Sequence, residues 1–401
     1  MSNENTGVEF SPRADVRLHE LESIRGLAAL LIVFHHFPAW NIVWFELPVF
    51  RNGALMVDLF FVLSGFVVHR AYSSRIRSWS HLFGFQLMRF GRLYPVHLLF
   101  LLAFCAVELA KYVAATHYGI VSPNKEILHA NDVAGFFQHL FMVQALVPGA
   151  PHLLTFNAPS WSIGVEFYTY LLFGLIVMYA KRHSTYVIGT LYVLAGAAIL
   201  TGDFSANLWF LRCVFGFFLG CQVAVLVKRS SVRVPVGVAE LLVLCIVGCM
   251  LAKLPIRYSA IAVGILTAGM IFAFARRAAE QQSSLLVKAL RTRPLVWLGG
   301  VSYTVYMSHN FLTWICNQVI RVVFKVPGAM VGGLNTPQLG VWQAAAVMLG
   351  IAGLIVAVSS LISGFIENPA REYFRRKAAR FMKMPDASSS AFRQLLQRIY
   401  P

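Results

Sequence analysis

Charge is what this chain has least of. Only 13% of its 401 residues are Asp, Glu, Lys or Arg, about half the share usual in a soluble domain. Acids are the scarcer sign, 17 against 34 Lys and Arg. So few charges cannot cover the water-facing surface of a protein this long, which excludes a large soluble domain. Cysteine is sparse too. Cys105, Cys213, Cys221, Cys245, Cys249 and Cys316 all fall in apolar segments without zinc-like spacing. They read as small packing residues, and neither disulfides nor a metal is expected. The stretch Met1–Glu22 has no apolar core or small-residue cleavage site of a secretory signal, so the first apolar segment is expected to direct insertion itself. No internal repeat of the kind seen in many transporters is visible.

What the chain has instead is hydrocarbon. Hydrophobic residues make up 58% of it, Phe alone contributes 32 positions, and the mean hydropathy is +0.66. Runs such as Leu27–Phe34, Val96–Ala110, Leu241–Ala252 and Val347–Ser359 alternate with short basic clusters. A helix needs about 20 apolar residues to cross roughly 30 Å of hydrocarbon. The pattern predicts an all-α polytopic membrane protein with about ten spans, near 21–40, 54–71, 92–113, 160–180, 186–201, 206–227, 236–253, 257–275, 299–321 and 340–366. A stretch at Ala134–Val147 is shorter and interrupted by Gln138, His139 and Gln144. If it does not cross, 25 basic residues fall inside and seven outside, as the positive-inside bias requires. Both termini are then cytoplasmic. The expected organisation is a cytoplasmic tail over 1–20, a transmembrane domain over 21–367 and a basic cytoplasmic tail over 368–401. The net charge of +17 follows from the same bias, so nucleic acid is not an expected partner and the lipid bilayer is.

Ionisable groups inside spans are costly unless paired, and therefore mark function by default. Arg25 and His36 lie eleven residues apart in the first span. That spacing is three turns plus about 20°, which sets both on one helix face about 16 Å apart along the axis. His35 is turned some 80° from Arg25. A histidine there can also simply be hydrogen-bonded within the bundle, and spacing alone does not choose. Asp58 stands among apolar neighbours and needs a partner. Arg89 and Arg92 share a face at the inner end of the third span, where they can chelate phosphate or merely anchor topology. Glu166 and Arg212 lie at similar depth in the fourth and sixth spans, and Ser302, Tyr303, Tyr306 and His309 keep near one face of the ninth. In this topology His36, Asp58, Glu166 and Arg212 are in the outer half, with Arg25, Arg89 and Arg92 at the inner side. Such a layout suits a phosphate-bearing donor from the cytosol, but a transporter can share it.

These pieces together resemble acyltransferase family 3, over nearly the whole chain. They come in the family's order: Leu21-Glu22-Ser23-Ile24-Arg25-Gly26 with His36; Val57-Asp58-Leu59-Phe60-Phe61 through Ser64-Gly65-Phe66; Arg89-x-x-Arg92-Leu93-Tyr94-Pro95. Trp161-Ser162 to Glu166-Phe167, Arg212 ahead of Gly216–Gly220, and Ser302-Tyr303-x-x-Tyr306 to His309 follow. The resemblance implies an O-acyltransferase of the inner (plasma) membrane with acyl-CoA, usually acetyl-CoA, as co-substrate and no permanently bound cofactor. The implied acceptor is a hydroxyl of extracytoplasmic carbohydrate, such as exopolysaccharide or lipopolysaccharide, or of a small molecule. It implies His36 as catalytic histidine with Arg25 in support, Arg89 and Arg92 on the donor side, and Glu166 as an acidic partner. Glu22 stands where the family commonly has Asp, and no esterase-like domain is appended.

The residues then suggest a course. Donor phosphates meet Arg89 and Arg92, and the donor's arm runs past Arg25. His36 acts as general base or is itself acylated. Asp58 or Glu166 orients the imidazole, and Arg212 or Tyr303 steadies the oxyanion. Two rivals remain open: O-acylation of a small macrolide-like or lipid acceptor, and a proton-coupled transporter or flippase relaying protons through His36, Asp58 and Glu166.

Overall fold

The computed structural model describes residues 18–119, 131–147, 149–202, 208–252, 254–279 and 284–382. The ends of both expected tails, with Lys125 and Lys253, lie outside the described residues. The chain is nearly all helix. From the N-terminal side come α1 (His19–His35), the single turns α2 (Ile42–Phe45) and α3 (Pro48–Arg51), α4 (Met56–Tyr72), α5 (Trp79–Tyr118) and α6 (Val133–Leu140). Then follow α7 (Trp161–Ala180), α8 (Ser184–Thr201), α9 (Leu208–Arg229), α10 (Val238–Leu251) and α11 (Ile256–Ala279). The set closes with α12 (Leu285–Leu290), α13 (Arg293–Gln318), α14 (Val341–Ile362) and α15 (Asn368–Met382).

A helix stands at each of the ten expected spans. Among the described residues, six helical stretches are long and apolar enough to cross a membrane: Gly53–Tyr72, Trp79–Tyr118, Ala158–Thr201, Leu208–Arg229, Ile256–Ala278 and Val341–Met382. The third contains both α7 and α8, separated by a turn in which Lys181 takes a φ of 46°. By contrast α10 has 14 residues, and α13 carries too many polar side chains to qualify. The eight residues of α6 span about 12 Å, too little to cross. Between α13 and α14, residues 322–339 hold an antiparallel hairpin of β1 (Gly328–Val331) and β2 (Leu334–Pro337). Gly332 and Gly333 turn it with φ of 57° and 80°, the left-handed pair a tight hairpin requires. It docks over the end of α1, where Leu339 N–H donates to Trp40 O at 2.8 Å.

Two helix pairs set the frame. Where α1 meets α13, an added Cβ on Gly299 would overlap the Glu22 carbonyl, and one on Gly26 would meet Gly299 N at 2.8 Å. Where α4 meets α9, a Cβ on Gly65 would overlap the Phe217 carbonyl, and one on Gly220 the Val62 carbonyl. Small residues let backbones touch where lipid supplies no hydrophobic drive for association. Gly26 opposite Gly299 puts α1 and α13 in register, ten residues below His36 and His309 respectively. At 40 residues, α5 is about 60 Å long, roughly twice the hydrocarbon thickness. Its first third, residues 79–91, precedes the expected span at 92–113. There α15 packs along it, Phe374 over Gly91 and Met382 over Gly84.

Candidate active site

Between α1, α4, α5, α7, α13 and α15 lies a cavity of about 730 Å³. Its mouth is cationic. Arg89 donates to Tyr72 Oη at 3.1 Å, and its guanidinium sits 5.1 Å from the Tyr72 ring and 5.6 Å from the Tyr170 ring. Its Nε is buried without a partner. Arg92 lies 4.0 Å from the buried Glu367. Deeper in, Tyr170 donates to Glu166 Oε1 at 2.5 Å and contacts Ser64 Oγ at 2.8 Å. Arg25 lines the same wall, within electrostatic reach of Arg92, Glu166 and Glu22. The cavity ends at Tyr306 and Ser162. Tyr306 Oη donates to Pro159 O at 2.7 Å and lies 2.8 Å from Ser162 Oγ. Tyr303 also lines the wall, but its hydroxyl donates to the Leu93 carbonyl.

His309, one turn beyond Tyr306, and His36 do not line this cavity. Their rings pack together with centroids 4.8 Å apart, and the His309 ring is 5.8 Å from Tyr306. His36 Nδ1 lies 2.9 Å from Ile32 O, and His309 Nδ1 lies 2.6 Å from Tyr306 O. A carbonyl can only accept, so each Nδ1 carries the hydrogen. In the neutral rings each Nε2 then holds the lone pair. The His309 Nε2 is buried without a partner. The His35 ring also packs edge-on against His36, with centroids 4.8 Å apart, but its Nδ1 lies 3.0 Å from Phe50 O and it borders a separate cavity of about 240 Å³ lined by Phe34, Phe37, Trp44 and Phe45.

The structure pairs the expected site residues differently from the sequence reading. Asp58 receives Arg212 through two bonds, Nε to Oδ1 at 3.0 Å and Nη2 to Oδ2 at 2.7 Å. The guanidinium is held between Trp161 and Trp209, 5.7 and 5.2 Å from their rings. Neither residue lines the cavity. Among the described residues no carboxylate hydrogen-bonds to His36, whose tautomer is set by a backbone carbonyl instead. So Arg25, Glu166, Arg89, Arg92 and Tyr303 share one cavity, His36 and His309 form a pair beyond its end, and Asp58 and Arg212 saturate each other. Sequence reasoning missed Tyr72 and Tyr170, which are ordinary apolar-helix residues until packing aims them, and gave Ser64 no role beyond its motif. It also missed Arg371 and Arg375, hidden in a basic tail.

A bundle of apolar helices encloses a cationic cavity that stops one turn short of a histidine pair. Residues 18–364 match the acyltransferase domain of acyltransferase family 3, and the chain belongs to that family. It is similar to the acyltransferase MdmB of Streptomyces mycarofaciens, at 26% identity over 396 residues, covering 91% of this chain and 95% of that one. It is also similar to protein 2 in the picA locus of Rhizobium radiobacter, at 35% identity over 150 residues, 36% of this chain and 73% of that one. No solved structure matches. The chain is a membrane-embedded acyltransferase.

Proposed function

We propose that the protein moves an acyl group, an acetyl group first among candidates, from cytosolic acyl-CoA to a hydroxyl of an extracytoplasmic carbohydrate across the inner membrane. In this reading the chain crosses ten times, with both ends in the cytosol. The observation that carries the proposal is the cavity itself: arginines at one end, Tyr306 at the other, and His36 with a lone pair on Nε2 just beyond. The donor's phosphates sit against Arg89 and Arg92, and its thioester arm passes Arg25 and Glu166. Tyr306 leaves Pro159 O and Ser162 to let the thioester carbonyl reach the histidine pair. His36 Nε2 takes the acceptor's hydroxyl proton, the oxygen attacks the carbonyl carbon, and the C–S bond breaks. The departing CoA thiolate receives the proton from the imidazolium, so charge balances. His309 packs against His36 and keeps its ring in place.

Proton relay by a transporter is less well supported, because Asp58 is taken by Arg212 and Glu166 by Tyr170. The test is thioester turnover by the purified full chain with acetyl-CoA and surface polysaccharide. Turnover by wild type and none by His36→Ala is expected. No turnover with any hydroxylated acceptor would overturn the reading. An acyl adduct on His36, seen by mass spectrometry without acceptor, would make that residue a nucleophile rather than a base.

A further inference from the structure

The cavity holds more positive charge than its walls balance. Five arginines line it (Arg25, Arg89, Arg92, Arg371 and Arg375) against two glutamates, Glu166 and Glu372. Two of the five come from α15, which follows the last apolar helix. That helix is not a loose tail. Ala378 is fully buried, and Phe374 and Met382 fill the space above Gly91 and Gly84 of α5. Arg371 and Arg375 are four residues apart, so they share a face about 6 Å apart along the axis.

The acids nearby are shared too thinly to neutralise this rim. Glu367 stands 4.0 Å from Arg92 and 3.8 Å from Arg371, and its Oε2 is already taken by Thr304 at 2.6 Å and Ser363 at 3.2 Å. Glu372 is divided between Arg375 at 2.7 Å and Arg376 at 2.8 Å. Those two arginines hold its carboxyl down to about 2, so it stays charged. The Arg92 charge, followed by burial, pulls the Arg371 guanidinium below its usual range. Like charges are therefore crowded at one opening, at two levels: Arg89 and Arg92 on α5, Arg371 and Arg375 on α15.

We propose that Arg371 and Arg375 form a second phosphate subsite at the rim, which recognises the ribose 3′-phosphate of a CoA donor while Arg89 and Arg92 hold its diphosphate. This rests on the acyl-CoA reading above. A donor with two separate phosphate groups matches two separate arginine pairs, and guanidinium–phosphate contacts are the strong, charge-assisted kind. The same face of α15 is also chemically suited to anionic lipid headgroups, so the experiment separates the two.

CoA and dephospho-CoA, which lacks only the 3′-phosphate, are titrated onto the full chain in neutral detergent. Wild type is expected to bind CoA about tenfold or more tighter, the size of one or two lost charge-assisted contacts. Arg371→Ala with Arg375→Ala is expected to bind both ligands equally, at the wild-type affinity for dephospho-CoA, which also shows that the variant is folded. Arg371→Lys with Arg375→Lys should recover part of the preference. Equal binding by wild type, or a preference that survives the alanine pair, overturns the rim subsite while leaving the CoA donor in place. Binding of neither ligand overturns both. A preference absent in detergent, with the alanine pair instead losing affinity for phosphatidylglycerol vesicles, assigns α15 to lipid.

Discussion

Replacing Arg212 tests what the buried pair with Asp58 does. The two side chains are 1% and 4% exposed and meet at 2.7 Å. Charge centres about 4 Å apart attract by about 4 kcal/mol at an effective dielectric near 20. Removing one partner strands the other in a dry site and typically costs about 3–5 kcal/mol. Arg212→Met is therefore expected to lose about that much stability, and Asp58→Leu a similar amount. Replacing a buried pair by apolar groups of similar volume is often neutral, so Asp58→Leu with Arg212→Met should recover most of the loss. The assay is thermal unfolding in detergent, paired with acyl transfer per folded molecule. If the pair clamps α4 to α9, the double variant keeps transfer. A double variant as stable as wild type but inactive would refute the clamp and return the pair to the chemistry. Wild-type stability in Arg212→Met would refute the energetics.

Three other outcomes follow from the geometry. His36→Ala should abolish transfer while the protein still inserts, whereas His35→Ala should keep substantial activity, because its ring faces the separate aromatic cavity; transfer normalised to membrane protein decides, and full activity in His36→Ala sinks the assignment. Arg89→Ala with Arg92→Ala should raise the CoA dissociation constant at least about tenfold, at about 1.5–3 kcal/mol per contact, which calorimetry measures; an unchanged constant reduces the pair to topology anchors. Gly299→Ala should force α13 off α1, since its Cβ would overlap the Glu22 carbonyl, at about 1–3 kcal/mol; thermal unfolding reads the cost, and an unaffected variant would mean the two helices can slide.

Apolar runs made the positions of ten helices legible, because composition alone reports apolar length, and six stretches among the described residues are long and apolar enough to cross a membrane. The same signal was silent about the first third of α5 and about α15. The first mixes Ser80, His81, Gln86 and Arg89 with its apolar residues, the second is basic, and a hydropathy scan sees basic helix and basic tail alike. The hairpin was not legible, because the turn at Gly332-Gly333 has no neighbouring strands long enough to stand out. Pairings were beyond reach. Asp58 and Arg212 are 154 residues apart, and nothing local says which of several ionisable groups a buried carboxylate will meet. Arg25 and His36 show where one-dimensional reasoning stops. Their eleven-residue spacing puts both on one face of α1, as the helical period demands. Yet Arg25 enters the large cavity and His36 turns to His309, because α13 lies along that face and Tyr306 fills the space between the two levels. A shared face fixes direction, and only the neighbouring helix decides what stands in it.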